Sequence, residues 1–166
     1  MERLSRFWDA VLARSASLCA TLILAIGGVV TYEVTARWAF GAPTIWAQEV
    51  AVYLLIACAF FGFAPTMHAG EHIRIDLLYK RFGRGARSAI ELLACICVAA
   101  YAGIAAWGGY EMVAQSLKYG RRSLTLLAVP VWIPQLVVPI GMTMLLIVAL
   151  VRAWQVAKQL GGGASA

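Results

Sequence analysis

Long apolar runs separated by short polar stretches organise this chain. Four windows, at about residues 15–38, 45–67, 88–110 and 128–151, are apolar almost throughout and hold only four charged side chains: Glu33, Arg37, Glu49 and Glu91. Each window is long enough for a helix of about 35 Å at 1.5 Å per residue, against a hydrocarbon core of about 30 Å. Lipid offers the backbone no hydrogen-bond partners, so a long continuous run must satisfy its own N–H and C=O groups, and an α-helix does so. The pattern predicts an all-α integral membrane protein with four transmembrane helices, a single domain over residues 1–155 and a flexible cytoplasmic tail over 156–166.

The first fourteen residues follow a different pattern. Leu4, Phe7, Trp8, Val11 and Leu12 recur at helical spacing, with Arg3, Arg6, Asp9 and Arg14 on the other face. This predicts a short N-terminal amphipathic helix lying on the cytoplasmic leaflet. A basic start before an apolar run is also the pattern of a secretory signal, but this run is too long for one, and the expectation is an uncleaved first span.

Composition strengthens the membrane reading. Of 166 residues, 62% are hydrophobic and 13% charged, with a mean hydropathy of +0.79. Soluble domains run at about 45–50% apolar and about 25% charged. The net charge of +6 is not a nucleic-acid footprint, because the basic residues flank the spans, where they set orientation. Arg3, Arg6, Arg14, Arg74, Lys80, Arg81, Arg84, Arg87, Arg152 and Lys158 fall on one side of the four spans; Arg37, Lys118, Arg121 and Arg122 fall on the other. The excess predicts that both termini are cytoplasmic. Cys19, Cys58, Cys95 and Cys97 all lie inside spans, with no CxxC pair, and read as small packing residues.

The few polar residues in and beside the spans carry the remaining information. Glu33 and Arg37 are four apart with the acid first, the favourable order for a helix ion pair. Glu49 lies about one turn inside the second span and needs a partner. The connection through Gly41, Ala42 and Pro43 is short, so Arg37 is the nearest candidate, and an Arg37–Glu49 contact shared by Glu33 would staple the first hairpin. The alternative is that each carboxylate reaches the headgroups separately. His68 and His72 are spaced i, i+4 beside Glu71 and Asp76, but Gly70 and Pro65 interrupt that helix, and the simpler reading is a polar loop rather than a metal site. Glu91 sits one turn inside the third span. That span is rich in alanine and glycine from Ala99 to Gly109, a composition that lets helices approach closely and is expected to face a partner. The third helix is expected to run on through Glu111 and Gln115 to Lys118, where Lys118, Arg121 and Arg122 form a basic turn and a candidate docking surface for a soluble partner. Pro130 suits the start of the fourth span, and Pro134 and Pro139 are expected to bend it. No phosphate-binding loop, zinc-protease motif, nucleophile elbow or dinucleotide fingerprint occurs, so neither catalysis nor a metal or other cofactor is expected.

In this order the polar residues resemble the small membrane subunit of TRAP transporters, the tripartite ATP-independent periplasmic systems. The matching positions are Arg37, Phe40, Gly41, Pro43, Trp46 and Glu49 in the first hairpin; Gly62 in the second span; His72, Ile73 and Asp76 after it; and Pro130, Trp132, Pro139 and Gly141 around the last helix. The resemblance covers about residues 5–155. It implies a Q-type small subunit in a bacterial or archaeal inner membrane that pairs with a large permease subunit carrying the sodium and substrate sites. It further implies a periplasmic substrate-binding protein as second partner and ion-gradient-driven uptake of an organic acid. Two other classes fit the residues less well. One is a proton-coupled exporter acting as a homodimer, with Glu33 or Glu49 as its proton site. The other is an accessory subunit of a respiratory complex, with His68 and His72 near a haem.

Overall fold

The computed structural model describes residues 2–42, 44–68, 84–123 and 127–162. They form four helices: α1 Glu2–Phe40, α2 Ile45–His68, α3 Arg84–Lys118 and α4 Trp132–Gly162. Each is long and apolar enough to cross a membrane. The chain is thus an all-α protein with four membrane-spanning helices, as the hydropathy pattern predicts.

The helix ends differ from the expected windows for local reasons. The amphipathic N-terminal segment is helical but continuous with the first span, forming the opening turns of a 39-residue α1 about 58 Å long. No proline occurs before position 43 and no glycine before 27, so nothing in the sequence breaks the helix between the two parts. Hydroxyls along α1 are satisfied within the helix: Ser17 donates to the Ala13 carbonyl at 3.1 Å, Thr31 to Gly27 at 2.7 Å and Thr35 to Thr31 at 2.7 Å. Helix α1 stops at Gly41, whose φ of 59° is the left-handed conformation that glycine adopts without strain. Helix α4 starts at Trp132 rather than Pro130, which puts Pro134 in the first turn, where an N–H has no helical partner to lose, and leaves Pro139 as the interior proline. It also continues to Gly162, with Val156 buried, so the segment expected as a tail from residue 156 is helical up to that point.

The helices line up in the order α1–α2–α4–α3. Helix α4 packs against both α3 and α2, and α2 also packs against α1. Among the described residues, no broad contact closes α1 onto α3, so the arrangement is an open row rather than a closed bundle. The core cluster draws on all four helices, through Leu12, Ala64, Met67, Ala102, Met142 and Leu145 among others.

The α3–α4 contact follows a seven-residue repeat. The buried positions of α3 are Cys95, Ala99, Ala102, Ala106, Gly109, Val113 and Ser116, separated alternately by four and three residues. On α4 the repeat continues through Met142, Leu145, Ala149 and Val156. This is the spacing of a left-handed antiparallel helix pair. It narrows one expectation: of the small residues of the third span, Ala99, Ala102, Ala106 and Gly109 are buried within the chain, while Ala100 and Gly108 remain exposed.

Two close approaches set the row. A Cβ added to Gly109 would lie 3.1 Å from Pro139 Cδ, and one added to Gly141 would lie 2.6 Å from the Phe60 carbonyl oxygen. At Gly141 the obstacle is backbone, which cannot move aside. Gly141→Ala is therefore expected to lower the stability of the purified protein by about 1–3 kcal/mol, as overpacking does. Gly109→Ala should cost less, and Gly103→Ala, where the added methyl meets nothing within 4 Å, should be close to neutral. Unfolding in mild detergent checks the order of the three.

Candidate functional site

The described polar groups gather at two levels. One is the end of the row that carries the α1–α2 turn and the α3–α4 loop, called here the turn end. The other is the opposite, terminal end.

At the turn end the structure divides the expected trio. Arg37 Nη1 reaches Glu33 Oε1 on its own helix at 3.8 Å, and the Arg37 side chain is 62% exposed. The exposure and the long distance make this a weak pair. Glu49 is 8% exposed and accepts a hydrogen bond from the Tyr53 hydroxyl one turn along α2. A direct Arg37–Glu49 staple is not among the ion pairs of the described residues. What joins α1 to α2 here is a ring contact: Tyr32 and Trp46 have centroids 5.9 Å apart. Beneath it, Glu33 borders a groove of about 260 Å³ between the two helices, floored by Ile26, Val30, Ala51, Val52 and Leu55.

The α3–α4 loop, which follows Lys118, lies at this same end. That loop is closed by its own backbone. At the end of α3 the Gly120 N–H donates to Leu117 and the Arg121 N–H to Ser116, the paired bonds of a Schellman motif, with Gly120 at a φ of 58°. Beyond it, Ser123 N–H donates to the Val129 carbonyl at 2.8 Å and Val131 N–H to Arg121 at 3.1 Å. These bonds flank an antiparallel bridge between Arg122 and Pro130, a position where proline has no ladder N–H to lose. Lys118, Arg121 and Arg122 are all exposed on this loop. The Lys118 and Arg121 charges each lie 5.8 Å from the Tyr119 ring centroid, so the cluster is a basic knob built around an aromatic ring. Among the described residues, the buried side-chain oxygens without a partner are those of Thr44, Ser116 and Gln135, all at this same end.

At the terminal end, Glu91 Oε1 accepts from Arg152 Nη2 at 3.0 Å and Nε at 3.3 Å, joining α3 to α4. Both side chains are 27% exposed. Between the two ends, α1 and α2 meet through thiols. Cys19 Sγ lies 3.4 Å from the Cys58 carbonyl oxygen and Cys58 Sγ lies 3.8 Å from that of Cys19. Gly62 packs under the Cys19 sulfur, where an added Cβ would sit at 3.7 Å.

The other positions of the resemblance are structural where they are described. Phe40 ends α1 and is exposed, Gly41 turns the chain, Trp46 lies against Tyr32 with the rings tilted by 35°, Trp132 opens α4, and Pro139 and Gly141 make the helix crossings. Pro43, His72, Ile73 and Asp76 lie outside the described residues, and so does the loop expected between the second and third spans. His68 is the last residue of α2 and is exposed. Among the described residues, no three His, Cys, Asp or Glu side chains converge as a metal site would require.

Sequence reasoning did not find Tyr53, the Glu91–Arg152 pair or the Cys19–Cys58 contact. The Glu49–Tyr53 spacing of i, i+4 was a readable signal. So was the presence of one acid and one base at the same ends of α3 and α4.

A family model described as "Tripartite ATP-independent periplasmic transporters, DctQ component" matches residues 26–159. Three curated relatives align with parts of the chain. The C4-dicarboxylate TRAP transporter small permease protein DctQ of Rhodobacter capsulatus is 30% identical over 63% of this chain and 46% of its own length. The sialic acid TRAP transporter permease protein SiaT of Haemophilus influenzae is 27% identical over 49% of this chain and 14% of its own. The isethionate TRAP transporter permease protein DctMQ of Oleidesulfovibrio alaskensis is 22% identical over 72% of this chain and 20% of its own. The chain thus matches less than half the length of each of these relatives.

Removing Glu91 leaves the Arg152 charge without its acceptor at the α3–α4 seam. Glu91→Ala is expected to cost about 1–3 kcal/mol, and the reversed pair Glu91→Arg with Arg152→Glu should recover most of it. Thermal unfolding of the wild type, Glu91→Arg, Arg152→Glu and the double variant forms the double-mutant cycle that measures the coupling.

Proposed function

Since this chain belongs to the DctQ-component family of tripartite ATP-independent periplasmic transporters, we propose that it is the small permease subunit of such a transporter. In this reading it anchors a large permease subunit in the inner membrane, with both termini cytoplasmic and the turn end facing the periplasm. Its basic α3–α4 loop is part of the surface on which a periplasmic substrate-binding protein docks, during ion-gradient-driven, sodium-coupled uptake of an organic acid. The chain itself carries out no covalent chemistry.

The observation that carries this reading is the family match over residues 26–159, which takes in α2, α3, most of α4 and the later part of α1. Three others support it. In SiaT and DctMQ the matched portion is a small part of a chain named as a permease protein, which supports a role for this domain beside a larger permease portion. An open row presents two broad apolar faces to its surroundings, and exposed Leu55, Ile104 and Trp107 show how little of that surface the chain covers itself. The names of the relatives, which refer to a C4-dicarboxylate, sialic acid and isethionate, support an organic acid as the substrate class.

Co-purification tests the assembly. Tagged protein extracted in mild detergent is expected to bring down a large multi-span permease in near-equal amount; recovery as a stable homodimer alone would overturn the reading and direct attention to Glu33 and Glu49 as an ion site. Docking has its own test. Reversing charge with Lys118→Glu, Arg121→Glu and Arg122→Glu together should raise the half-saturating concentration of the binding protein about tenfold or more at low salt. The difference should shrink as salt screens the loop.

A further inference from the structure

A cleft in a membrane-facing surface is filled by what the bilayer supplies, because an empty apolar void forfeits contacts on every wall. The groove between α1 and α2 is such a cleft, with a volume of about 260 Å³. An apolar cavity of about 150 Å³ already holds a benzene molecule. The walls run from Glu33 to Ile26 on α1 and from Gln48 to Leu55 on α2, which is about 10 Å of helix on each side.

Polarity orders this groove from end to end. Its floor is apolar, and its polar groups, Glu33 and Gln48, stand at the turn end. There Tyr32 and Trp46 lie against each other, an aromatic pair of the kind found at the level of lipid headgroups. One helical turn beyond Glu33, Arg37 approaches it at 3.8 Å, and the Glu33 side chain is 23% exposed. At that distance the pair leaves hydrogen-bonding capacity on both sides, since an ionised carboxylate has about four lone-pair sites and a guanidinium five N–H donors. An acid at the mouth of the groove, with a base one turn above it, matches a headgroup that carries both an ammonium and a phosphate. The apolar channel beneath matches an acyl chain. A headgroup with a phosphate and no amine would set its charge beside Glu33 with nothing to offset it. A basic side chain from a protein partner would answer Glu33 but sit beside the Arg37 charge with no anion between them.

We propose that the α1–α2 groove binds one aminophospholipid of the phosphatidylethanolamine type in the leaflet at the turn end, with an acyl chain in the groove, the ammonium at Glu33 and the phosphate at Arg37. Gln48 is exposed at the rim and offers a neutral donor and acceptor to the ester groups. The site goes beyond the transporter assignment and does not depend on docking of a binding protein. It also gives the Glu33–Arg37 pair a task, since an exposed i, i+4 pair by itself adds little stability.

The test titrates the intact complex, purified in mild detergent and stripped of lipid, with phosphatidylethanolamine and phosphatidylglycerol of equal chain length. Bound lipid is counted by native mass spectrometry. A large permease would bind lipids of its own, so the groove is read as the difference between wild type and Ala51→Phe, which places a ring in it. That difference is expected to be one phosphatidylethanolamine, bound about tenfold more tightly than phosphatidylglycerol. Glu33→Gln should abolish the preference, and Arg37→Gln should weaken both lipids about three- to tenfold. Leu24→Phe, at an exposed position of α1 outside the groove, should retain the lipid. Equal affinities for the two lipids in wild type overturn the proposal, and so does an unchanged lipid count in Ala51→Phe. A photo-crosslinker at Val52 that captures a protein chain instead of lipid overturns it as well, since the groove is then a protein contact. Should Ala51→Phe fail to assemble, loss or persistence of the headgroup preference in Glu33→Gln decides. If the chain purifies without a large permease, the same titration is run on it alone, so failure of the transporter assignment and failure of the lipid site stay separate.

Discussion

The row depends on one helix approaching two neighbours at once. Pro139 lies against Gly109 of α3, and Gly141, two residues on, lies against the backbone of Phe60 on α2. Two residues along a helix turn through about 200°, so the two contacts face nearly opposite ways. That geometry places α2 and α3 on either side of α4 and keeps them from closing around it. In lipid there is no hydrophobic force to bring helices together, and association rests on how closely their atoms can pack. Close approach at glycine therefore matters more here than it would in a soluble bundle.

The polar contacts divide along the row in a regular way. The Cys19–Cys58 contact joins α1 to α2 and the Glu91–Arg152 pair joins α3 to α4, while the Tyr53–Glu49 bond lies within α2. These two pairs thus have packed apolar surface and a polar connection, whereas α2 and α4 meet at the close approach of Gly141 to Phe60. Hydrogen bonds between membrane helices contribute modestly, averaging about 0.6 kcal/mol and reaching about 1–2 kcal/mol. Their effect is better understood as fixing register, since a helix that slides by one residue loses the geometry of each bond while its apolar contacts change little.

An open row suits a subunit whose task is to hold another. A closed bundle satisfies its helices internally, whereas a row of four leaves broad sides to be met by lipid or by protein. The polar loop at one end then adds a surface beyond the apolar belt, with its charges stacked around Tyr119. Anchoring and docking would use separate parts of the molecule: helix faces for one, the α3–α4 loop for the other.

Periodicity and charge placement determined the number, type and approximate limits of the helices, because the lipid requirement that every backbone group be paired leaves little choice of structure. The polar residues also pointed to the family before any geometry was known. Which faces meet was not legible. The alanine and glycine residues of α3 announced a close contact, but composition could not say whether the other side was α4 or another protein; only the seven-residue register shared with Met142, Leu145 and Ala149 decided it. The same holds for Glu49. Its spacing from Arg37 in sequence made a hairpin staple reasonable, yet the helix directs Arg37 to Glu33 and Glu49 to Tyr53. Phe60 and Gly141 are far apart in the sequence, and no local pattern encodes their meeting. It follows from the parallel packing of α2 beside α4, which tertiary structure alone supplies.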